Sequence, residues 1–184
     1  MRVGIAHHFG WAVAVTAAPD FRVVDRRRIE LVEPGTPPAP VHHDGVDLSD
    51  DALAALVSDV RASAVRATSA SLDALAADVG DPIVSLSLRA WPLDFPTDIA
   101  VVRRVPYEAR ADSVMYRQVL DDVARARGWD VHVFDAGSVL DRATRIVGET
   151  VLSGPRATLG PPWTKDHRIA LAATVLAGQT SSNT

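Results

Sequence analysis

Apolar residues alternate with polar or small residues over three short runs at the start of the chain. The runs Val3 to Ala6 and Trp11 to Thr16 favour β-structure, and a third, more polar run extends from Phe21 to Leu31. Two breaks separate these runs, at His7-His8-Phe9-Gly10 and at Ala18-Pro19-Asp20. We therefore predict a three-stranded meander in which the charged third run is an edge strand.

The hydrophobic period changes after a proline-rich loop. Residues 33–47 hold four prolines and two glycines, which exclude a regular helix and a central strand. Apolar positions from Leu53 to Val79 then keep helical phase, so we predict one long helix over residues 50–79, or two helices with a break near Thr68. The apolar run Pro82 to Leu88 follows, and a strand after such a helix normally returns parallel to its sheet.

The second half of the chain alternates helical and extended patterns. The predicted elements are an extended segment at Ile99 to Val105, a helix from Ser113 to Arg127 capped by Asp112, a strand from Trp129 to Phe134, a helix from Ser138 to Val147, and a helix from Lys165 to Ala177 capped by Thr164. The whole order predicts an α/β fold with three antiparallel strands, then parallel strands, flanked by helices. We expect one domain over residues 1–178 and a frayed polar tail over residues 179–184.

Composition narrows the functional classes. A chain of 184 residues with 47% hydrophobic content is long enough for one domain with a sizeable core. The net charge of −4 excludes a global positive field, so nucleic-acid binding would have to use local patches. The lack of cysteine excludes disulfides, thiolate metal sites and cysteine nucleophiles. The sequence shows no secretory pattern and no membrane span, so we expect a cytoplasmic protein without a membrane partner.

Two segments and the order of elements carry a family resemblance. The hydrophobic-Gly-Ile opening with its glycine turn, and the closing KDHRIALAATVLA, resemble the ribonuclease H-like superfamily, which includes ribonuclease H and the Holliday-junction resolvases. The segments HHFGW, DSVMYR and GPPW followed by KDHR are also similar to those of an actinobacterial family. The resemblance implies a ribonuclease H-like fold with an active cleft at the carboxyl ends of the parallel strands.

The resemblance also implies three acidic positions that hold two divalent ions: the end of the first strand, the fourth strand and the last helix. Only Asp166 on the last helix matches this pattern. The first-strand position is Ala6, and the fourth strand offers Ser85, Ser87 and Arg89 in place of an acid. An ordinary two-magnesium phosphodiesterase is therefore not expected.

Histidines offer a replacement for the missing acids. Imidazole suits Zn²⁺ or Mn²⁺, and Mg²⁺ prefers carboxylate oxygens, so we predict a divalent-metal site built from His7 or His8, His42 or His43, and Asp166. Adjacent residues on an extended chain point to opposite faces, so each pair would supply one ligand. Each group also has a structural interpretation. His7 and His8 would be ordinary turn residues, and His42 and His43 would lie in a solvated loop. Asp166 would only interact favourably with the helix dipole.

Basic and aromatic residues form a second candidate group. The predicted substrate-binding residues follow the fourth strand or begin the last helix: Arg89, Trp91, Arg103, Arg104 and Lys165. Such a mixture suits a nucleic acid or a nucleotide, because guanidinium groups bind phosphate and aromatic rings stack on bases. In the alternative interpretation, Trp91 anchors the loop and the arginines pair with Asp94, Asp98 and Glu108.

Together these patterns predict a ribonuclease H-like protein that is a candidate metal-dependent hydrolase of phosphodiester or nucleotide substrates. Asp166, His167 and His8 are the predicted catalytic residues, with a metal-bound water as the nucleophile. The alternative is a non-catalytic member of the fold that binds nucleic acid or a protein. A homodimer formed through the antiparallel edge of the sheet is a third hypothesis.

Overall fold

A five-stranded mixed sheet forms the centre of the computed structural model, which describes residues 1–180. The strands are β1 (Arg2–His7), β2 (Trp11–Ala17), β3 (Val23–Glu30), β4 (Ser85–Arg89) and β5 (Asp130–Phe134). Their spatial order is β3-β2-β1-β4-β5. The pairs β1–β2 and β2–β3 are antiparallel, whereas β1–β4 and β4–β5 are parallel. This arrangement confirms the predicted fold class.

Helices cover both faces of the sheet. A π-helical turn (Pro40–Asp44) precedes α1 (Asp50–Val79), α2 (Ile99–Val102), α3 (Glu108–Ala126), α4 (Val139–Val147), α5 (Glu149–Ser153), α6 (Pro155–Leu159) and α7 (Lys165–Thr180). The long helix α1 is continuous: Ser49 caps its start and Gly80, in the left-handed region, ends it. Within the described range, no helix has the length and apolarity that crossing a membrane requires.

The two faces of β1 pack against different helices. Val3 and Ile5 belong to a buried cluster with residues of α1 and α3, while the other face of the central strands packs against α4 and α7. Gly4 lies on this second face, where a β-carbon would come 1.8 Å from the carbonyl oxygen of Ala170. The backbone of α7 therefore sits directly on β1, and this contact fixes the start of α7 beside the end of β1.

The segment after β4 differs from its prediction. Residues Ile99 to Val105 were expected to be extended, but Ile99–Val102 form the short helix α2. The reason is local, because the Asp98 carboxylate accepts a hydrogen bond from the Ala100 amide at 2.9 Å and caps the helix.

The predicted cap of α3 is also wrong. The helix begins at Glu108, so Asp112 lies inside its first turns and cannot cap it. The Asp112 carboxylate is buried and accepts hydrogen bonds from the backbone amides of Val41 and His42, at 3.1 and 2.9 Å. Burial raises the pKa of Asp112 above its ordinary value, and these amides act in the opposite direction. This residue thus holds the proline-rich loop against α3.

The last part of the chain contains more helix than predicted. The short helices α5 and α6 lie in a segment for which no element is predicted. The final helix α7 runs to Thr180, so it extends beyond its predicted end at Ala177, and the frayed tail stays a prediction. The remainder of the predicted tail, residues 181–184, lies outside the described residues.

The edge strand β3 is tied to the turn that precedes α7. The guanidinium of Arg26 donates hydrogen bonds to the carbonyl oxygens of Leu159 and Gly160, at 2.8 and 2.9 Å, and to that of Pro162. This contact, which we call the Arg26 clamp, positions the segment that leads into α7. A homodimer through the β3 edge stays a prediction.

Candidate functional site

A cleft of about 290 Å³ lies where β1 and β4 end and α7 begins. Its polar groups come from His7, His8, Arg89 and Asp166. Because β1 and β4 are parallel neighbours, their carboxyl ends meet at one edge of the sheet, and the close packing of α7 on β1 brings Asp166 to the same edge. We call this site the β1–β4 cleft.

His8 and Asp166 form a pair in this cleft. The His8 Nε2 atom lies 2.9 Å from the Asp166 Oδ2 atom, and the side chains are 42% and 32% exposed. The His8 ring stacks on Trp11, with 4.1 Å between ring centroids and 13° between planes. The Arg28 guanidinium carbon also lies 4.2 Å from the Trp11 ring centroid. The imidazole of His8 is thus oriented by both a carboxylate and an aromatic ring.

His7 meets a different environment, on the α3 side of the sheet. Its Nε2 atom lies 3.1 Å from the hydroxyl of Ser113, which accepts a hydrogen bond from Arg117 Nη2 at 2.8 Å. Burial lowers the pKa of His7 to about 3, and the nearby charges of Arg117 and Arg89 act in the same direction. The ring is therefore neutral near pH 7, and a hydrogen bond joins its Nε2 atom to the Ser113 hydroxyl.

Two arginines contribute positive charge to this edge of the sheet. Arg117 is buried, and its Nη1 atom donates to the carbonyl oxygen of Ala90 at 2.7 Å. Burial lowers the pKa of Arg117 to about 10, with a further contribution from the charge of Arg89. The side chain of Arg89 is exposed at the cleft and has no hydrogen-bond or ion-pair partner in the described part of the chain. The cleft therefore carries an uncompensated cationic group.

The other predicted histidines lie outside the lining of this cleft. His42 and His43 are in the π-helical turn, with 4.2 Å between their ring centroids. His167 Nδ1 lies 2.8 Å from the Thr164 hydroxyl and accepts a hydrogen bond from the Thr164 amide at 3.2 Å. Burial lowers the pKa of His167, and its ring centroid lies 5.3 Å from that of Trp163. His167 therefore stabilises the start of α7, and the predicted catalytic trio does not assemble in the cleft.

The predicted substrate-binding residues are also divided. Arg89 lines the cleft, whereas Arg103 is occupied by an ion pair with Asp50 at 2.6 Å. Asp50 is not among the partners expected for the arginines, which were Asp94, Asp98 and Glu108. Trp91 is half-buried against the main core, which agrees with the anchoring role considered as its alternative. Arg104 and Lys165 are exposed and outside the lining of the cleft.

The donor atoms of the cleft do not fit a two-metal centre. Residues 1–180 contain no group of three or more histidine, aspartate or glutamate side chains placed to hold a metal ion. The predicted site from His7 or His8, His42 or His43, and Asp166 is therefore not formed by these residues. Asp166 is the single carboxylate that the described residues contribute to the cleft, and the guanidinium groups of Arg89 and Arg117 would repel a divalent cation at the ends of β1 and β4.

The strand order and the position of the cleft define a ribonuclease H-like fold. The chain is similar to a solved structure described as T. thermophilus RuvC in complex with Holliday junction substrate, with a TM-score of 0.53 and 12% sequence identity. The match covers 98% of this chain and 94% of the RuvC chain. No family model matches the sequence, and no curated protein matches it. The chain therefore shares its fold with the RuvC chain, and at 12% identity the similarity extends to the fold alone.

One group at this edge was not predicted as functional. Ser113 was expected only to begin a helix, yet its hydroxyl connects His7 to Arg117. Ser113 is separated from His7 by 106 positions, so no local pattern in the sequence indicates their contact. The topology of the sheet, which brings α3 across β1 and β4, is the signal that could have indicated it.

Proposed function

We propose that the chain binds nucleic acid in the β1–β4 cleft, with a phosphate of the bound strand beside Arg89. The supporting observation is that the Arg89 guanidinium lines the cleft without a partner in residues 1–180, next to the buried charge of Arg117. A phosphate oxygen would offset these charges and accept charge-assisted hydrogen bonds from Arg89. The net charge of −4 makes this cationic cleft a local feature and not part of a basic surface.

The solved relative supports nucleic acid as the class of ligand. RuvC is in complex with a Holliday junction substrate, and its fold extends over 98% of this chain. At 12% identity the two chains share the fold alone. The Holliday junction is therefore a ligand of RuvC and is not proposed as the ligand of this chain. For this chain, the size of the cleft and its cationic character favour contact with one phosphate of a strand.

Fluorescence anisotropy with labelled single-stranded RNA and DNA tests this proposal. We expect binding that weakens as salt rises, because phosphate contacts release counterions. Arg89→Ala should weaken binding and reduce the slope of log affinity against log salt by about 0.7. Arg22→Ala is a matched control, because Arg22 is exposed near the end of β2, at the opposite end of the sheet. Absence of binding at low salt would overturn the proposal.

Phosphodiester hydrolysis is a second candidate function. The observation that favours it is the pair of His8 and Asp166 in the cleft, since an imidazole oriented by a carboxylate is a common acid–base group. A metal-dependent form of this reaction is tested with protein that carries no polyhistidine tag. A rise in the thermal midpoint on addition of Mn²⁺ or Zn²⁺ that His8→Gln and Asp166→Asn abolish would support it. An unchanged midpoint would remove it.

A further inference from the structure

The cleft has the position of a nuclease active site and a different set of chemical groups. Its single carboxylate, Asp166, is already bonded to His8, and the ends of the two parallel strands carry His7 and Arg89. His7 is bonded to Ser113 and is kept neutral, so it supplies no charge to the cleft. The donor set therefore suits an anion, such as a phosphodiester, better than a pair of divalent cations.

The Nδ1 atom of His8 has no hydrogen-bond partner in residues 1–180, so it is the group that could transfer a proton. When Asp166 accepts the Nε2–H of His8, the ring is held in the tautomer that leaves Nδ1 as an acceptor. The stacking on Trp11, at 4.1 Å and 13°, restricts rotation of the ring. An imidazole with a carboxylate on one nitrogen and an open second nitrogen has the arrangement of a general base.

The described residues that line the cleft include no side-chain hydroxyl that could act as the nucleophile toward a bound phosphate. Among the described residues, no serine, threonine or tyrosine lines the cleft, and the hydroxyl of Ser113, which contacts His7, also bonds to Arg117. In RNA the substrate itself carries a nucleophile, the 2′-hydroxyl next to each phosphate, which DNA does not have. An oriented base and a guanidinium are sufficient to promote attack by this hydroxyl.

On the basis of the proposed nucleic-acid binding, we infer that the β1–β4 cleft cleaves single-stranded RNA without a metal ion, through attack by the RNA 2′-hydroxyl. His8 Nδ1 takes the proton of the 2′-hydroxyl while its oxygen bonds to the adjacent phosphorus. The bond from phosphorus to the 5′-oxygen breaks, and that oxygen takes a proton from water. The products are a 2′,3′-cyclic phosphate and a 5′-hydroxyl, and His8 returns its proton to the hydroxide.

Each polar residue has a separate role in this step. His8 is the catalytic base, and Arg89 offsets the negative charge that develops on the phosphorane oxygens. Asp166 and Trp11 act through His8, so they are positioning residues. Removal of Asp166 should therefore lower kcat without weakening the binding of RNA, because the loss of a negative charge does not oppose an anionic ligand.

The test uses the full chain and a labelled single-stranded RNA in the presence of EDTA. The companion substrates are the DNA of the same sequence and an RNA with 2′-O-methyl groups. We expect cleavage of the RNA alone, with a 2′,3′-cyclic phosphate identified by mass. His8→Gln should lower the rate at least about 100-fold and keep the thermal midpoint near that of the unsubstituted protein. His132→Gln, on the far strand β5, is the matched control and should retain the rate.

The possible results separate this inference from the proposed function. Cleavage that requires divalent ions, equal cleavage of DNA, or full activity of His8→Gln purified in the same way would overturn the inference. RNA that binds in a salt-dependent way and stays intact would overturn the inference and leave the proposed function in place. Absence of RNA binding at low salt would overturn the inference, and absence of both RNA and DNA binding would overturn the proposed function as well.

Discussion

His7 and His8 are adjacent in the sequence and lie in opposite environments. His7 points to the α3 side of β1, where Ser113 and Arg117 surround it and burial lowers its pKa to about 3. His8 points to the α7 side, where it is partly exposed and pairs with Asp166. The alternation of side chains at the end of a strand is sufficient to separate the two rings.

This difference shows how one residue type acquires two roles from its surroundings. A neutral, half-buried imidazole bonded to a hydroxyl, as at His7, is part of the protein's internal hydrogen-bond network. A partly exposed imidazole paired with a carboxylate is available to a ligand. The pair of histidines is therefore not a two-ligand motif, and the candidate chemistry of the cleft rests on His8.

The largest effect is expected on the α7 side of β1, where Gly4 packs against the backbone of α7. Gly4→Ala would place a β-carbon 1.8 Å from the Ala170 carbonyl oxygen, so α7 would have to move away from β1. We expect the free energy of unfolding in urea to fall by about 3 kcal/mol. Gly137→Ala is the control, because its β-carbon would meet only the Asp135 side chain, at 3.3 Å. A loss below about 1 kcal/mol for Gly4→Ala would show that α7 is not held against the strand.

The α3 side is tested by removal of its buried charge. Arg117→Met keeps much of the apolar volume and removes the donors to Ala90 and Ser113. We expect the free energy of unfolding to fall by about 2 kcal/mol, because buried acceptors lose their partners. The pKa of His7, followed by NMR titration, should rise since one repelling charge is gone. Arg110→Met, an exposed position on the same helix, should change neither quantity.

The low pKa of His7 also predicts a pH dependence of stability. Between about pH 6.5 and 3 the unfolded state binds a proton at His7 and the folded state does not. The free energy of unfolding should therefore decrease as pH falls through this window, by at most about 1.4 kcal/mol per pH unit from this group. His7→Gln should reduce the slope measured by urea unfolding. An identical slope in both proteins would contradict the assignment of a neutral His7.

The smallest effect on stability is expected for the exposed pair. His8→Gln removes the imidazole that bonds to Asp166 at 2.9 Å, and the Asp166 side chain is 32% exposed. Such pairs contribute about 0.2–1 kcal/mol, so the free energy of unfolding should change by less than 1 kcal/mol. A loss as large as that of Arg117→Met would mean that His8 is structural, and the contrast between the two histidines would fail.

The order of strands and helices was predictable because it depends on local periodicity. Side chains alternate between the two faces of a strand, which explains the pattern of Trp11 to Thr16. Apolar side chains within residues 50–79 recur with the period of a helix, so that helix was predictable as well. The cleft was predictable in position, since parallel strands end at the same edge. Its chemistry was not, because the state of His7 depends on Arg117, which lies 110 positions away, and on the depth of burial.

The incorrect predictions have a common physical cause. Asp112 has the residue type of a helix cap, but a helix that starts at Glu108 leaves its carboxylate free to bind the amides of Val41 and His42. His42 and His43 were assigned to the metal site from residue type alone, and this same contact holds their turn against α3. Packing between distant segments decided both cases.

The Arg26 clamp has a consequence for the transmission of structural change. The outermost strand and the turn before α7 are joined by one guanidinium that spans 134 positions of sequence. A displacement of that strand, for example by an insertion between residues 17 and 23, would pull on the turn and rotate the first residues of the helix. The orientation of Asp166 is thus coupled to the outermost strand through the turn that precedes α7.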